Sequence, residues 1–278
     1  MANINLYSTL AEYKAFTTAR GQTASTDTTD DAVIKDLLET ASRYLDGRAM
    51  RQFYPTIETR YYDVPRDSGL WLDGDLLEII TLTNGDATTI SSTNYKLHDP
   101  NFSPYYAITL KGSSNIQWEA DSSGNSDQVI SLLAYWGYYE KFSQRAWSIG
   151  GTLGAAMTDT TTLAFTMTAG HSLAVGQLVK IGNELLNIDT VSTNTITPIA
   201  RGDNGSTAAT HLNGVTVYVF EPDARVRNAV LEQAVIDYAQ RFGKSVSNTA
   251  TVTAAGVVIA PNGIAKSMND LIALTSPT

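Results

Sequence analysis

Apolar residues recur along this chain at two periods. In the stretch from Asp30 to Asp63, Ile34, Leu37, Leu38, Ala41, Tyr44, Leu45 and Ala49 return every three or four positions. Lys35, Asp36, Glu39, Arg43 and Asp46 fall between them. That spacing places the first set on one face of an α-helix and the second on the other. Thr29, Asp30 and Asp31 supply an N-cap and an acidic first turn, and Arg48 and Arg51 complement the dipole at the far end. Pro55 forbids continuation, so the rod is expected to run about 30–35 Å. A second stripe, Val226, Ala229, Val230, Ala234, Tyr238 and Phe242, predicts a long helix over Asp223 to Phe242, stopped by Gly243. Thr9-Leu10-Ala11-Glu12 is a capping box that opens a shorter helix to about Ala19, with Leu10, Tyr13 and Phe16 inward.

Elsewhere the period drops to two. Thr56 to Asp63, Leu76 to Thr83, Tyr95 to Leu97, Ala107 to Leu110 and Val129 to Tyr135 predict strands, with Asn84-Gly85-Asp86 as a hairpin turn. Asp67 to Asp75, with Gly69 and Gly74, reads as a loop. Ser148 to Gly154 is Gly-rich without a Lys-Ser/Thr pair, and reads as a linker rather than a phosphate loop. Beyond it the texture changes. Leu163 to Thr168, Leu178 to Ile181, Glu184 to Ile188, Asn194 to Ile199 and Val215 to Val219 are short strands between turn residues, the pattern of a small all-β barrel or sandwich. The expected fold class is therefore α+β: a small helical bundle with β elements, residues 1–149 plus 221–278, interrupted by an inserted β module, residues 150–220. The last stretch, Ser245 to Thr278, is apolar and nearly uncharged. It is expected to dock on a partner or a neighbouring copy, with Ile264, Met268, Leu271 and Ile272 on a final short helix.

Composition narrows the function. The 278 residues carry a net charge of −9, which leaves no basic footprint for gripping nucleic acid. There is no Cys, which removes disulfides, thiolate metal sites and Cys nucleophiles. No apolar run reaches transmembrane length, and MANINLYSTL lacks the pattern of a signal peptide. His98, His171 and His211 are far apart and lack metal-ligand spacing, and no Ser–His–Asp arrangement emerges, so no catalytic, metal or cofactor residue is assigned. Arg201-Gly202-Asp203 spells an integrin-type tripeptide, but Asp203-Asn204-Gly205 accounts for it as a tight turn. The aromatic run Tyr135-Trp136-Gly137-Tyr138-Tyr139 is either core and subunit contact or, with Trp118, a platform for sugar.

Three passages together resemble a known family. They are the first long helix, then FYPTIETRYYD with Phe53, Tyr54, Pro55, Arg60, Tyr61 and Tyr62, then Asp75-Leu-Leu-Glu-Ile79 through Leu82-Thr-Asn-Gly-Asp86. The pattern resembles the head–tail connector (adaptor) proteins of tailed bacteriophages, over residues 5 to 140 and the later long helix. Within 150–220, Arg201, Gly202, Gly205, Ala208, Ala209, His211 and Gly214 resemble a β module of phage virion proteins. The resemblance implies a non-enzymatic virion protein without cofactors, assembled in the bacterial host cytoplasm and placed in the neck. It also implies a ring of copies, usually twelve, between the portal protein and a tail or stopper protein, with DNA passing through and no membrane. A stopper or tail-completion protein and a carbohydrate- or cell-surface-binding β protein are the competing readings.

Overall fold

The computed structural model describes residues 4–19, 28–98, 100–101, 103–242, 251–252, 258–259 and 263–275. The chain is α+β. It forms a helical cluster, a five-stranded sheet and a curled six-stranded sheet.

The capping box opens α1 (Leu10–Ala19). The Thr9 amide donates to Glu12 Oε2 at 2.7 Å, and the Glu12 amide donates back to Thr9 Oγ1 at 3.2 Å. The first long rod is α2 (Asp31–Ala49), 19 residues with Ile34, Leu37, Leu38, Ala41, Ser42, Leu45 and Ala49 buried. It ends on Met50 in the left-handed conformation. Two polar roles differ from expectation. Asp30 makes no side-chain cap; its carboxylate instead accepts the hydroxyl of Tyr238 on the second rod. Arg51 pairs with Asp75 and lies 4.6 Å over the Tyr138 ring, so it ties the helix to the sheet instead of serving the dipole.

After Pro55 come β1 (Thr56–Tyr62), β2 (Gly69–Thr83), β3 (Tyr95–His98), β4 (Tyr105–Leu110) and β5 (Ile130–Trp136). They form one sheet in the order β1-β5-β2-β4-β3, and every pairing is antiparallel. The predicted loop 67–75 is the first half of β2: Gly69, Leu70 and Trp71 pair with Thr109, Ile108 and Ala107. The inner strand β5, between β1 and β2, is buried on both faces. Ile130, Leu132, Ala134 and Trp136 join one core with Leu70, Leu82 and Ile108. Leu133 and Tyr135 face another. Such a strand reads as a continuous apolar run, as ISLLAYW does.

A short helix α3 (Phe142–Arg145) leads to β6 (Trp147–Thr152), which occupies the predicted linker. Then follow β7 (Phe165–Thr166), β8 (Leu178–Ile181), β9 (Glu184–Ser192), β10 (Thr195–Pro198) and β11 (Thr216–Phe220). Their order is β6-β11-β8-β9-β10-β7. The outermost strands meet just past their ends. Leu153 bridges Met167, the Gly154 amide donates to the Thr166 carbonyl at 2.8 Å, and the Thr168 amide donates to that of Thr152 at 2.9 Å. Closing a sheet in this way removes its edges. Leu153, Met167, Val179, Ile181, Leu186, Ile196 and Val217 fill the interior. Leu178, Leu185 and Phe220 point outward and pack with Ile57, Leu77, Tyr135 and Phe142. The barrel-like sheet therefore leans on the five-stranded one through a shared apolar seam.

The second rod, α4 (Ala224–Phe242), returns to the helical cluster. Gly243, expected to stop it, lies outside the described residues. Within the tail, β12 (Thr251–Val252) pairs with β13 (Val258–Ile259), and α5 (Lys266–Thr275) closes the described chain. Met268 and Leu271 of α5 are buried in the same core as α2 and α4. The expectation of docking on a partner or a neighbouring copy concerns Ser245 to Thr278, much of which lies outside the described residues; within α5, Met268 and Leu271 are instead covered by the chain's own rods. No described helix is long and apolar enough to cross a membrane.

Candidate functional site

Two features stand out in the described structure: a clasped pair of rods and a polar joint that fixes the closed barrel to them. The rods are far apart in sequence, yet Leu37, Leu38, Ala41 and Leu45 of α2 share one core with Val226, Ala229, Val230 and Ala234 of α4. Small residues at Ala41, Ala229 and Ala234, all fully buried, let the backbones approach. Ser42 is buried as well. Its hydroxyl donates to the Leu38 carbonyl at 2.7 Å and accepts the Tyr7 amide at 3.3 Å, so a polar residue in the stripe ties the N-terminal segment to the rod.

Below Ser42 lies Asp46. It accepts the Tyr7 hydroxyl and pairs with Arg43 at 3.1 Å. Tyr7 Oη in turn accepts the Phe53 amide at 2.9 Å. Burial pushes the Asp46 carboxyl up to about 6, against the opposing pull of Arg43, Tyr7 and the Phe53 backbone. Burial, with the Asp46 charge beside it, also raises the Tyr7 phenol well above its ordinary value.

The joint is the loop Arg201-Gly-Asp-Asn-Gly-Ser206. Asn204 and Asn5 exchange side-chain hydrogen bonds, both 2.8 Å, and Asn204 Nδ2 also donates to the Pro55 carbonyl at 3.1 Å. The Ile57 amide donates to the Asn204 carbonyl at 2.8 Å, and the Asn5 amide donates to Asn187 Oδ1 at 3.0 Å. Gly205 sits at φ +75°, where a Cβ would come 2.1 Å from the Ile57 carbonyl oxygen. One turn therefore binds the N-terminal segment, the exit from α2 and the barrel together. Arg201-Gly202-Asp203 is part of this internal fastening.

Behind the loop, Glu184 is wholly buried and its carboxylate accepts five hydrogen bonds. These come from Arg201 Nε and Nη2, the Gly202 and Ala209 amides and His211 Nε2, at 2.7 to 3.1 Å. Arg201 also donates to the carbonyls of Asp159, Thr162 and Ala209. Burial alone would raise the Glu184 carboxyl; the hydrogen bonds from Arg201, His211 and Ala209 outweigh it and hold the group below its usual range. The arrangement presents no open face to a substrate. It is a charged fastening between β9 and the loops around it. The sequence signal for it is Glu184 ahead of Leu185-Leu186 at the start of β9, with Arg201-Gly202 and His211 further on.

The other candidates disperse. His98 Nε2 lies 2.8 Å from Thr109 Oγ1, His171 Nε2 lies 2.8 Å from the Thr193 carbonyl, and His211 belongs to the Glu184 fastening. Among the described residues, no group of three or more His, Asp or Glu is placed to hold a metal. The proposed sugar platform does not exist as one surface. Trp136 and Tyr139 are only 2% and 6% exposed, Tyr138 is wedged between Phe53 and Arg51, and Trp118 stands apart beside the start of β2. Comparison of the chain with protein-family models, with curated proteins and with solved structures finds no match in any of the three.

Proposed function

We propose that the protein is a structural component of a tailed-phage virion, the head–tail adaptor that forms a ring in the neck between portal and tail. The observation that carries this reading is the clasp of α2 and α4, reinforced by α5 and tied to two sheets by Asn5, Asn204 and Arg51. It makes a stiff wedge, and stiffness is what a subunit needs in order to repeat around an axis without distortion. The helix–Tyr–Pro–strand passage from α2 into β1 and the long β2 are the elements that resemble the adaptor family. The closed barrel, residues 147 to 220, is read as an added module facing away from the channel, available to tail or stopper proteins. The net charge of −9 suits a conduit, because Lys/Arg contacts to phosphate create affinity and DNA in transit must not be held.

Negative-stain imaging of the purified full chain, alone and mixed with its cognate portal protein, tests the reading. Closed rings, or rings seated on the portal, are expected. A particle of single-chain size under both conditions overturns it. Rings that bind tail components and leave the portal untouched would favour the stopper or tail-completion reading.

A further inference from the structure

A cleft of about 440 Å³ opens at the end of the five-stranded sheet, between the start of β2, the end of β4 and the turn that follows. Its size falls within the range of small-molecule sites. Leu110 and Trp118 supply apolar surface, and Arg66, Asp67, Asn115 and Gln117 line the rest. The Trp118 ring is fixed, because its Nε1–H donates to the Ser68 carbonyl at 3.0 Å. The turn that carries Asn115 is fixed too. The Ser114 amide and hydroxyl both donate to the Lys111 carbonyl, at 2.9 and 2.6 Å, and Asn115 sits at φ +53°. By contrast, the side chains of Arg66, Asp67, Asn115 and Gln117 have no hydrogen-bond or ion-pair partner among the described residues. All four are exposed, so beside the fixed Trp118 ring their donors and acceptors remain open to a ligand.

We propose that this cleft binds a neutral saccharide unit, with one sugar face against Trp118 and its hydroxyls shared among the four free polar side chains. The charges argue for neutrality. Arg66 is offset by its neighbour Asp67, and the Lys111 ammonium is already engaged with the Thr93 carbonyl at 2.8 Å. A phosphate or sulfate would therefore meet a carboxylate as well as a guanidinium. A ligand with one apolar face and many paired hydroxyls uses both halves of the lining. The site is separate from the wedge and does not depend on the adaptor reading.

The test is saturation-transfer NMR on the full chain with maltose, cellobiose, lactose and N,N′-diacetylchitobiose, each at millimolar concentration, alongside sodium sulfate competition and adenosine. Transfer to the ring C–H protons of at least one disaccharide is expected, unchanged by sulfate. In the double variant Arg66→Ala/Gln117→Ala, altered only at exposed positions, binding should weaken at least tenfold with the circular dichroism spectrum and melting midpoint unaltered. Absence of transfer to every disaccharide, equal transfer in the double variant, displacement by sulfate, or transfer to adenosine alone would each overturn the proposal.

Discussion

A carboxylate that accepts five hydrogen bonds and has no exposed surface is tolerated only while its charge is fully answered, and Glu184 is in that position. Glu184→Gln keeps the shape, but it turns an acceptor toward solvent-free donors as a donor and leaves Arg201 buried without a counter-charge. Loss of one partner of a buried pair costs about 3–5 kcal/mol, so the urea midpoint should fall by that equivalent. Asp46 behaves in the opposite sense. Its carboxyl is raised to about 6 in the folded chain, so the folded state holds a proton that the unfolded state has released between about pH 4 and 6. Its contribution is most favourable below that window and is lost as pH rises through it, by at most about 3 kcal/mol. Urea titrations of the parent and Asp46→Asn at pH 4 and pH 7.5 should show the parent losing more stability across the interval than the variant. Asp46 does not declare itself in sequence, and Glu184 does so only through the later Arg201-Gly202 and His211. Glu184 opens the mixed strand ELLNIDTVS as a surface Glu would, and Asp46 lies on the polar side of the α2 stripe. What buries each of them is a long-range neighbour, Arg201 in one case and Tyr7 in the other.

At the scale of elements, legibility followed periodicity. α1, α2, α4 and β8 appear where a 3.6 or 2.0 period and a cap mark them. The misses have glycine at their centre. Gly69 and Gly74 make the first half of β2 look like a loop. Gly150 and Gly151 make β6 look like a linker, yet the barrel needs them: a Cβ on Gly150 would come within 2.8 Å of Leu173 and Val219, and Gly151 sits at φ +140° against His171. Gly205 is the same case at the joint. Gly205→Ala should strain the turn by about 1–3 kcal/mol and lower the hydrogen-exchange protection of the Ile57 amide, which donates to Asn204. The destination of α5 was also illegible, because an amphipathic face does not say whether its cover is internal or foreign. Met268 is fully buried against the rods. Met268→Ala should therefore cost about 2–5 kcal/mol in the isolated chain, read from the urea midpoint. A helix reserved for a partner would show almost no change.

At the scale of the whole molecule, the fold class was legible and the assembly is the larger inference. The helical cluster, the sheet and the closed barrel share seams at Tyr54, Tyr135 and Phe220, and Asn5, Asn204 and Arg51 fasten them with polar bonds. A body tied at so many points is suited to repeat beside itself. The most direct test is the light-scattering mass of the purified full chain, measured alone and after mixing with the portal protein that the proposed neck role assigns to it. The account predicts a closed multiple of the 30.0 kDa chain, either free or bound to the portal ring. A mass of one chain in both samples, with no co-migration with the portal, would contradict it.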